Sequence, residues 1–264
     1  MPELPEVEMQ CRLLNATSLR KTIIRVIIYD DFVIKGISQV MFQRRLQGAL
    51  ITEIARRGKF IIISTNTAYD LVIHLGMTGQ ITYQSSSSPL EKYVRIIFML
   101  TGNHDLRYHS KRKLGKLFLI PHDEYTQIPT IKTMGLEPLN STFDLPTFLS
   151  MVQDKTSKVK SLLLNQQFIA GIGNIYGDEI LFQAGIRPDR NMSDLTIGEL
   201  KRFYEKIIEV LLSAIHRGAE LPTSTEISLI PNRYGGAGCP RCGFQIFKMK
   251  IASRTSYYCR KCQK

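Results

Sequence analysis

No apolar run in the sequence is long enough to cross a bilayer as a helix. The most apolar stretches, such as Phe60-Ile61-Ile62-Ile63 and Leu71-Val72-Ile73, are strand-length, against the ~20 residues a membrane span needs. The sequence also lacks a basic start followed by an apolar stretch. It opens with the acidic, proline-rich Met1-Pro2-Glu3-Leu4-Pro5-Glu6, which argues against a secretory signal and predicts a cytoplasmic protein. Acidic charge is in deficit: 23 Asp+Glu face 35 Lys+Arg, a formal charge of +12. That imbalance favours a polyanionic partner through counterion release, nucleic acid foremost, although an acidic protein would satisfy the same total. Cysteine is scarce, five residues in all, and four of them lie at the C-terminal end.

Those four form Cys239-x-x-Cys242 and Cys259-x-x-Cys262, sixteen residues apart. In a cytoplasmic chain this spacing reads as a four-cysteine zinc ribbon, because each pair clamps one side of a tetrahedral ion; disulfide pairing is the minor alternative. Four protein ligands leave no open position for water, so one structural Zn2+ is expected. Cys11 reads as a small buried hydrophobe on a helix. At the other end, removal of Met1 would leave Pro2 with a free secondary amine, a nucleophile that attacks carbonyl carbon to form an iminium. An α-amino group has a pKa of roughly 7.7 to 8, so a useful fraction is unprotonated near neutrality. Equally, Pro2 is only a chain start and Pro5 a first-turn helix proline.

Val7, Cys11 and Leu14 recur at i, i+4 and i+7 and predict an amphipathic helix over Pro5–Leu14. From Thr22 to Ile120 short β-branched and aromatic runs follow: Ile23–Ile28, Phe60–Ser64, Leu71–His74, Gln80–Tyr83, Val94–Leu100 and Lys116–Ile120. They predict a β-rich first half built as a two-sheet sandwich. Ser85–Ser88 with Pro89 reads as a mobile loop. Helical spacing takes over at Leu145–Val152, Val159–Leu164, Ile175–Ala184 and Leu195–Arg217. The last carries a capping box, Thr196-x-x-Glu199, and a glycine stop at Gly218. Between two helices, Ala170-Gly171-Ile172-Gly173-Asn174 is either a phosphate-binding turn at a helix N-terminus or a tight helix–helix connection.

Taken together, Met-Pro-Glu-Leu-Pro-Glu-Val-Glu at 1–8, Arg56-Arg57-Gly58-Lys59-Phe60, His74-Leu75-Gly76-Met77-Thr78-Gly79, Gly171-Ile172-Gly173-Asn174-Ile175-Tyr176-Gly177-Asp178-Glu179 and the cysteine ribbon resemble the formamidopyrimidine-DNA glycosylase family, with its endonuclease VIII-like branch. The motifs occur in the family's order and the opening leans to the formamidopyrimidine branch. The resemblance implies an α+β multidomain chain: an N-terminal catalytic β-sandwich flanked by helices (1–133), a helix-two-turn-helix DNA-binding domain (134–222) and a zinc ribbon (223–264). It implies a monomeric, bacterial-type, nucleoid-associated enzyme of base excision repair, binding double-stranded DNA that holds damaged bases or abasic sites in a cleft between the halves. Pro2 would attack C1′ of a flipped-out nucleotide, with Glu3 as acid and base and β,δ-elimination following. Lys59 would be a second catalytic cation; otherwise it is an ordinary exposed lysine in a charge run. Arg254 would grip phosphate beside the flipped nucleotide from a hairpin fixed by zinc. Asn174 and Lys160 match further phosphate contacts, while Lys155 and Lys158 read as a solvated face.

The family fills the hole left by the flipped base with methionine, arginine and phenylalanine. Here Met77 and Arg112 are in place, but Leu114 stands where the aromatic is usual, so it fills space without stacking and opposite-base selectivity loosens. A DNA-contacting histidine aligns with Tyr93. The segment from Gly218 to Cys239 is shorter than in purine-lesion members, which argues for weak action on 8-oxoguanine and a shift towards ring-opened purines, oxidised pyrimidines, abasic sites or some less usual lesion. Two rivals remain: a catalytically weak relative that only binds damaged DNA, motivated by the altered wedge, and a zinc-ribbon transcription or translation factor, which leaves the N-terminal pattern unexplained.

Overall fold

The apolar runs of the first half become the strands of two sheets that share one core. A computed structural model describes residues 1–223 and 227–264. In chain order the first half holds α1 (Leu4–Ser18), β1 (Ile23–Ile28), β2 (Ile34–Lys35), α2 (Gln39–Leu46), β3 (Ile51–Arg57), β4 (Phe60–Thr65), β5 (Tyr69–His74), β6 (Gly79–Ser85), β7 (Val94–Leu100), β8 (His104–Ser110), β9 (Lys116–Pro121) and a short α3 (Pro129–Lys132). One sheet runs β1-β7-β8-β6 and the other β2-β9-β5-β4-β3. All pairings are antiparallel except β2 with β9. Inward residues of both sheets, among them Val26, Ile96, Phe98, Ile61, Ile63 and Leu117, form a single cluster with Val7, Cys11 and Leu14 of α1. Each such side chain contributes roughly 1.5–3 kcal/mol by leaving water. Strand β4 lies between β5 and β3 and is buried on both faces, which is why Phe60–Ile63 is a continuous apolar run rather than an alternating one.

Five elements of the first half lie outside what apolar patterning predicts, the short β2 and α3 among them. Strand β8 reads as polar, His-Asp-Leu-Arg-Tyr-His-Ser, yet Asp105, Arg107 and His109 are all buried. Strand β3 turns only Ile51 and Ile54 inward, and α2 starts from the Ser38 side chain, which accepts from Met41 N. Helix α1 also runs past Leu14, because the Thr17 and Ser18 hydroxyls donate to the Leu13 and Leu14 carbonyls at 2.7 Å.

The serine stretch is anchored rather than loose. The Arg107 guanidinium, 2% exposed, donates to the carbonyls of Ser85, Ser88 and Pro89 at 3.3, 2.9 and 2.8 Å. It also pairs with Glu91 and Asp105.

Contacts divide the chain into two compact units, Met1–Pro2 with Glu6–Lys132, and Glu3–Pro5 with Thr133–Lys264. The second unit contains α4 (Leu145–Val152), α5 (Val159–Leu164), α6 (Asn174–Ala184), α7 (Ile197–His216) and the hairpin β10 (Ile246–Ile251) with β11 (Arg254–Cys259). Asp144 caps α4, and the Thr196/Glu199 capping box on α7 is present in both directions. Gly185 closes α6 at φ +71° and Gly218 follows α7 at φ +70°, a left-handed conformation that glycine adopts without penalty. Phe143, Phe148, Phe203 and Tyr204 pack ring on ring where α4 meets α7.

Candidate active site and nucleic-acid interface

The glycine turn of the second unit is occupied by the third residue of the chain. The Glu3 side chain, 3% exposed, accepts from the backbone N–H groups of Gly173 (2.9 Å), Ile175 (2.9 Å) and Tyr176 (3.1 Å). These are the donors that a helix N-terminus leaves without partners, so Glu3 caps α6 and complements its dipole. Leu4 N donates to the Gly171 carbonyl at 3.0 Å. Both glycines are dictated by this seat. A Cβ on Gly173 would lie 2.3 Å from Glu3 Cδ, and one on Gly171, at φ +84°, would lie 2.8 Å from Leu4 Cβ. The turn therefore takes a carboxylate from its own chain at the N–H groups that sequence alone offered to a phosphate.

Beyond it, Asn174 Nδ2 donates to the Thr255 carbonyl at 2.8 Å, which fastens the start of α6 to β11 one residue from Arg254. Arg254 is exposed at the hairpin tip, after the two-residue turn Ala252-Ser253 with φ +47° and +58°. Lys160 departs from the expectation of a phosphate contact. It is fully buried, and its Nζ donates to Asp178 Oδ1 at 2.7 Å and to the Asn174 carbonyl at 2.9 Å. Burial pulls its pKa down while Asp178 opposes the shift. Its charge is used inside the fold, where it holds the residue expected at the phosphate. Asp178, also buried, takes Arg233 on its second oxygen at 3.0 and 2.8 Å together with Tyr257 N at 3.2 Å. Asp178 lies in the Gly171–Glu179 motif, but nothing in the linear pattern pairs it with Lys160 and Arg233. The signal of the cluster is only an aspartate and a lysine at core positions.

In the first unit, Lys59 lies in the turn between β3 and β4 and is 7% exposed, not a solvated lysine. The neighbouring His74 ring sits 4.9 Å from Phe60, and burial, then the charges of Lys59 and Lys116, push its pKa down to about 4. A neutral His74 suits its contact, since its Nδ1 accepts from Gly76 N at 3.2 Å. That bond shapes the loop that presents Met77. Met77, Arg112 and Leu114 come together: Arg112 Nη1 lies 3.1 Å from Met77 Sδ, Arg112 N donates to Thr78 Oγ1 at 3.1 Å, and the Leu114 backbone abuts Gly76. Met77 is 41% and Leu114 46% exposed, so both side chains are open to whatever faces this loop. Tyr93, at φ +71°, is half-buried under Lys92, Arg95 and Lys111, whose cations lie 5.1, 6.0 and 5.9 Å from its ring centre. Pro2 is half-buried, and in this sequence its nitrogen is the amide that joins it to Met1.

The four ribbon cysteines offer sulfurs within 4.8 Å of one another. Cys239 and Cys262 are 3.9 Å apart and Cys242 and Cys259 3.7 Å. A disulfide would require about 2.05 Å. A tetrahedral ion with bonds of about 2.3 Å separates its sulfurs by about 3.8 Å, so this donor set fits one metal ion. The ribbon's small core of Phe182, Leu229, Ala237 and Ile246 includes Cys239 and Cys259. Cys11 is buried in α1, with its thiol directed to the Ala55 carbonyl and its pKa raised to about 12, chiefly by burial.

Comparison with known proteins agrees with this geometry. The formamidopyrimidine-DNA glycosylase N-terminal domain matches residues 1–117 and the formamidopyrimidine-DNA glycosylase H2TH domain residues 134–225. Formamidopyrimidine-DNA glycosylase of Desulforamulus reducens is 38% identical, over 100% of this chain and 99% of that one. The Enterococcus faecalis protein of that name is 35% identical, over 100% and 97%. Among solved structures, Lactococcus lactis Fpg in complex with DNA containing N7-benzyl-Fapy-dG is 32% identical with a TM-score of 0.88, covering both chains fully. The class so defined is the DNA glycosylases of base excision repair. Within it, this chain belongs to the formamidopyrimidine-DNA glycosylase family.

Proposed function

We propose that the protein is a bifunctional DNA glycosylase and AP lyase that removes oxidised bases from duplex DNA, acting as a monomer in the cytoplasm. After Met1 is removed, the Pro2 nitrogen attacks C1′ of a flipped nucleotide, and the glycosidic bond breaks with its electron pair leaving on the base, which takes a proton. Flipping costs a few kcal/mol and is cheaper at a damaged pair. The ring C1′–O4′ bond then opens as Glu3 delivers a proton to O4′, leaving a C1′=N iminium. That cation acidifies C2′–H, whose loss expels the 3′ phosphate; in the conjugated iminium that results C4′–H is acidic in turn, and its loss expels the 5′ phosphate. Lys59 supplies a buried positive charge and Arg254 an exposed one. Zn2+ in the cysteine site would hold the hairpin that carries Arg254.

The observation that carries this reading is the seating of Glu3, whose carboxylate is fixed by three backbone N–H groups of α6, one covalent link from Pro2. Exposed Leu114 in place of an aromatic wedge, with the short segment after Gly218, favours ring-opened purines, oxidised pyrimidines or abasic sites over 8-oxoguanine. Residues 224–226 of that segment lie outside the described residues.

Borohydride reduction should trap the processed protein covalently on abasic-site duplex. A chain that retains Met1 should give no adduct, because its proline nitrogen is an amide. If the processed protein binds several lesion duplexes but is trapped on none, the reading is wrong and the protein only binds damage.

A further inference from the structure

The loop 111–115 carries Arg112 and Leu114 on a backbone that needs outside support. Lys113, at its apex, has φ +54°, a left-handed conformation unfavourable for an L-residue with a long side chain. Its Nζ lies 2.5 Å from Asp30 Oδ2, in the turn after β1, where Asp30 is 13% exposed. Arg95 Nη1 approaches the same oxygen at 3.4 Å, and its Nε donates to the Ser110 carbonyl at 2.9 Å, at the root of the loop. Asp30 is itself held, since its Oδ1 accepts from Phe32 N at 3.2 Å. A wedge with a phenyl ring would brace Arg112 by stacking, whereas Leu114 offers no planar face. The brace that remains is the loop's own backbone, with the Thr78 bond to Arg112 N on one side and Asp30 on the other.

We propose that Asp30 is a positioning residue for opposite-base recognition: through Lys113 it fixes the loop that aims Arg112 at the orphaned base. This rests on the glycosylase reading of the site, and the two fail differently. The experiment measures kcat/KM of the processed full-length enzyme on one lesion placed opposite each of the four bases, at two salt concentrations, for wild type, Asp30→Asn, Lys113→Gln and the double variant.

Loss of a partly exposed ion pair should narrow the spread among opposite bases by about threefold, its weight being a fraction of the 1.4 kcal/mol that makes a factor of ten. Trapping on abasic-site DNA should stay at the wild-type level. Higher salt should narrow the wild-type spread and leave that of Asp30→Asn unchanged, since phosphate contacts cancel in the ratio. The double variant should lose no more than either single one, and Asp30→Glu should restore the spread. An unchanged spread in Asp30→Asn, or additive losses in the double variant, overturns the proposal. A wild type that cannot be trapped overturns the functional reading instead. If Asp30→Asn does not fold, Lys113→Gln removes the same pair from its exposed end and decides the question.

Discussion

Gly173 has no room for a side chain, and what fills the space is the carboxylate of Glu3. Placing a methyl there, 2.3 Å from Glu3 Cδ, forces the carboxylate off the three N–H groups of α6. Displacement of a reacting group by about 1 Å costs on the order of 100-fold in rate. Gly173→Ala is therefore expected to lower single-turnover base release by about that factor while duplex affinity changes little; a normal rate would show that Glu3 does not need its seat. The sequence made Pro2 and Glu3 visible as a motif, but it could not say that the glycines behind them exist to admit Glu3. That fact depends on a contact between residues 170 positions apart.

Among elements, α6 gathers more than its hydrophobic pattern implies. Its first turn receives Glu3 and its second turn bears Asp178, which holds Lys160, Arg233 and Tyr257 N. Lys160→Ala removes one partner from a fully buried pair and is expected to destabilise by about 3 kcal/mol in urea unfolding, because Asp178 keeps its charge without full compensation. The same variant should leave the slope of log affinity against log salt unchanged, where loss of a true phosphate ligand would reduce it by about 0.9. A reduced slope would return Lys160 to the interface. Helix boundaries such as Leu145–Val152 and strands such as Val94–Leu100 were legible because apolar period and caps agree there. Strand β8 was not: Leu106 and Tyr108 face the shared core, but Asp105 and Arg107 on its other face are also buried, against the serine stretch, and buried polar residues that satisfy one another look like loop in a linear reading.

Across the whole molecule, the charge of +12 and the cysteine ribbon answer the same need by different means. In the proposed function one draws DNA in without regard to position, and the other fixes where the Arg254 cation stands. Removal of metal with a chelator is expected to weaken duplex binding about tenfold or more while far-UV circular dichroism keeps its helical signal, and added Zn2+ should restore affinity. Elemental analysis should return one metal ion per chain, and unchanged affinity after complete removal would show that the ribbon needs no metal. The family and the ribbon could be read from sequence because they rest on residue types at fixed spacing. The tethering of the serine stretch by Arg107 could not, because the guanidinium and the carbonyls it holds are joined only through the fold.

The clasp on Glu3 also acts as a ruler. With that residue immobilised, the reach of whatever precedes it is set by covalent geometry alone, and each added residue moves the terminal nitrogen by up to about 3.8 Å. Under the proposed mechanism, a fusion partner or an unprocessed initiator ahead of Pro2 would leave every contact of the helix intact and still silence the chemistry, so a well-folded protein would be inert because of one leftover amino acid.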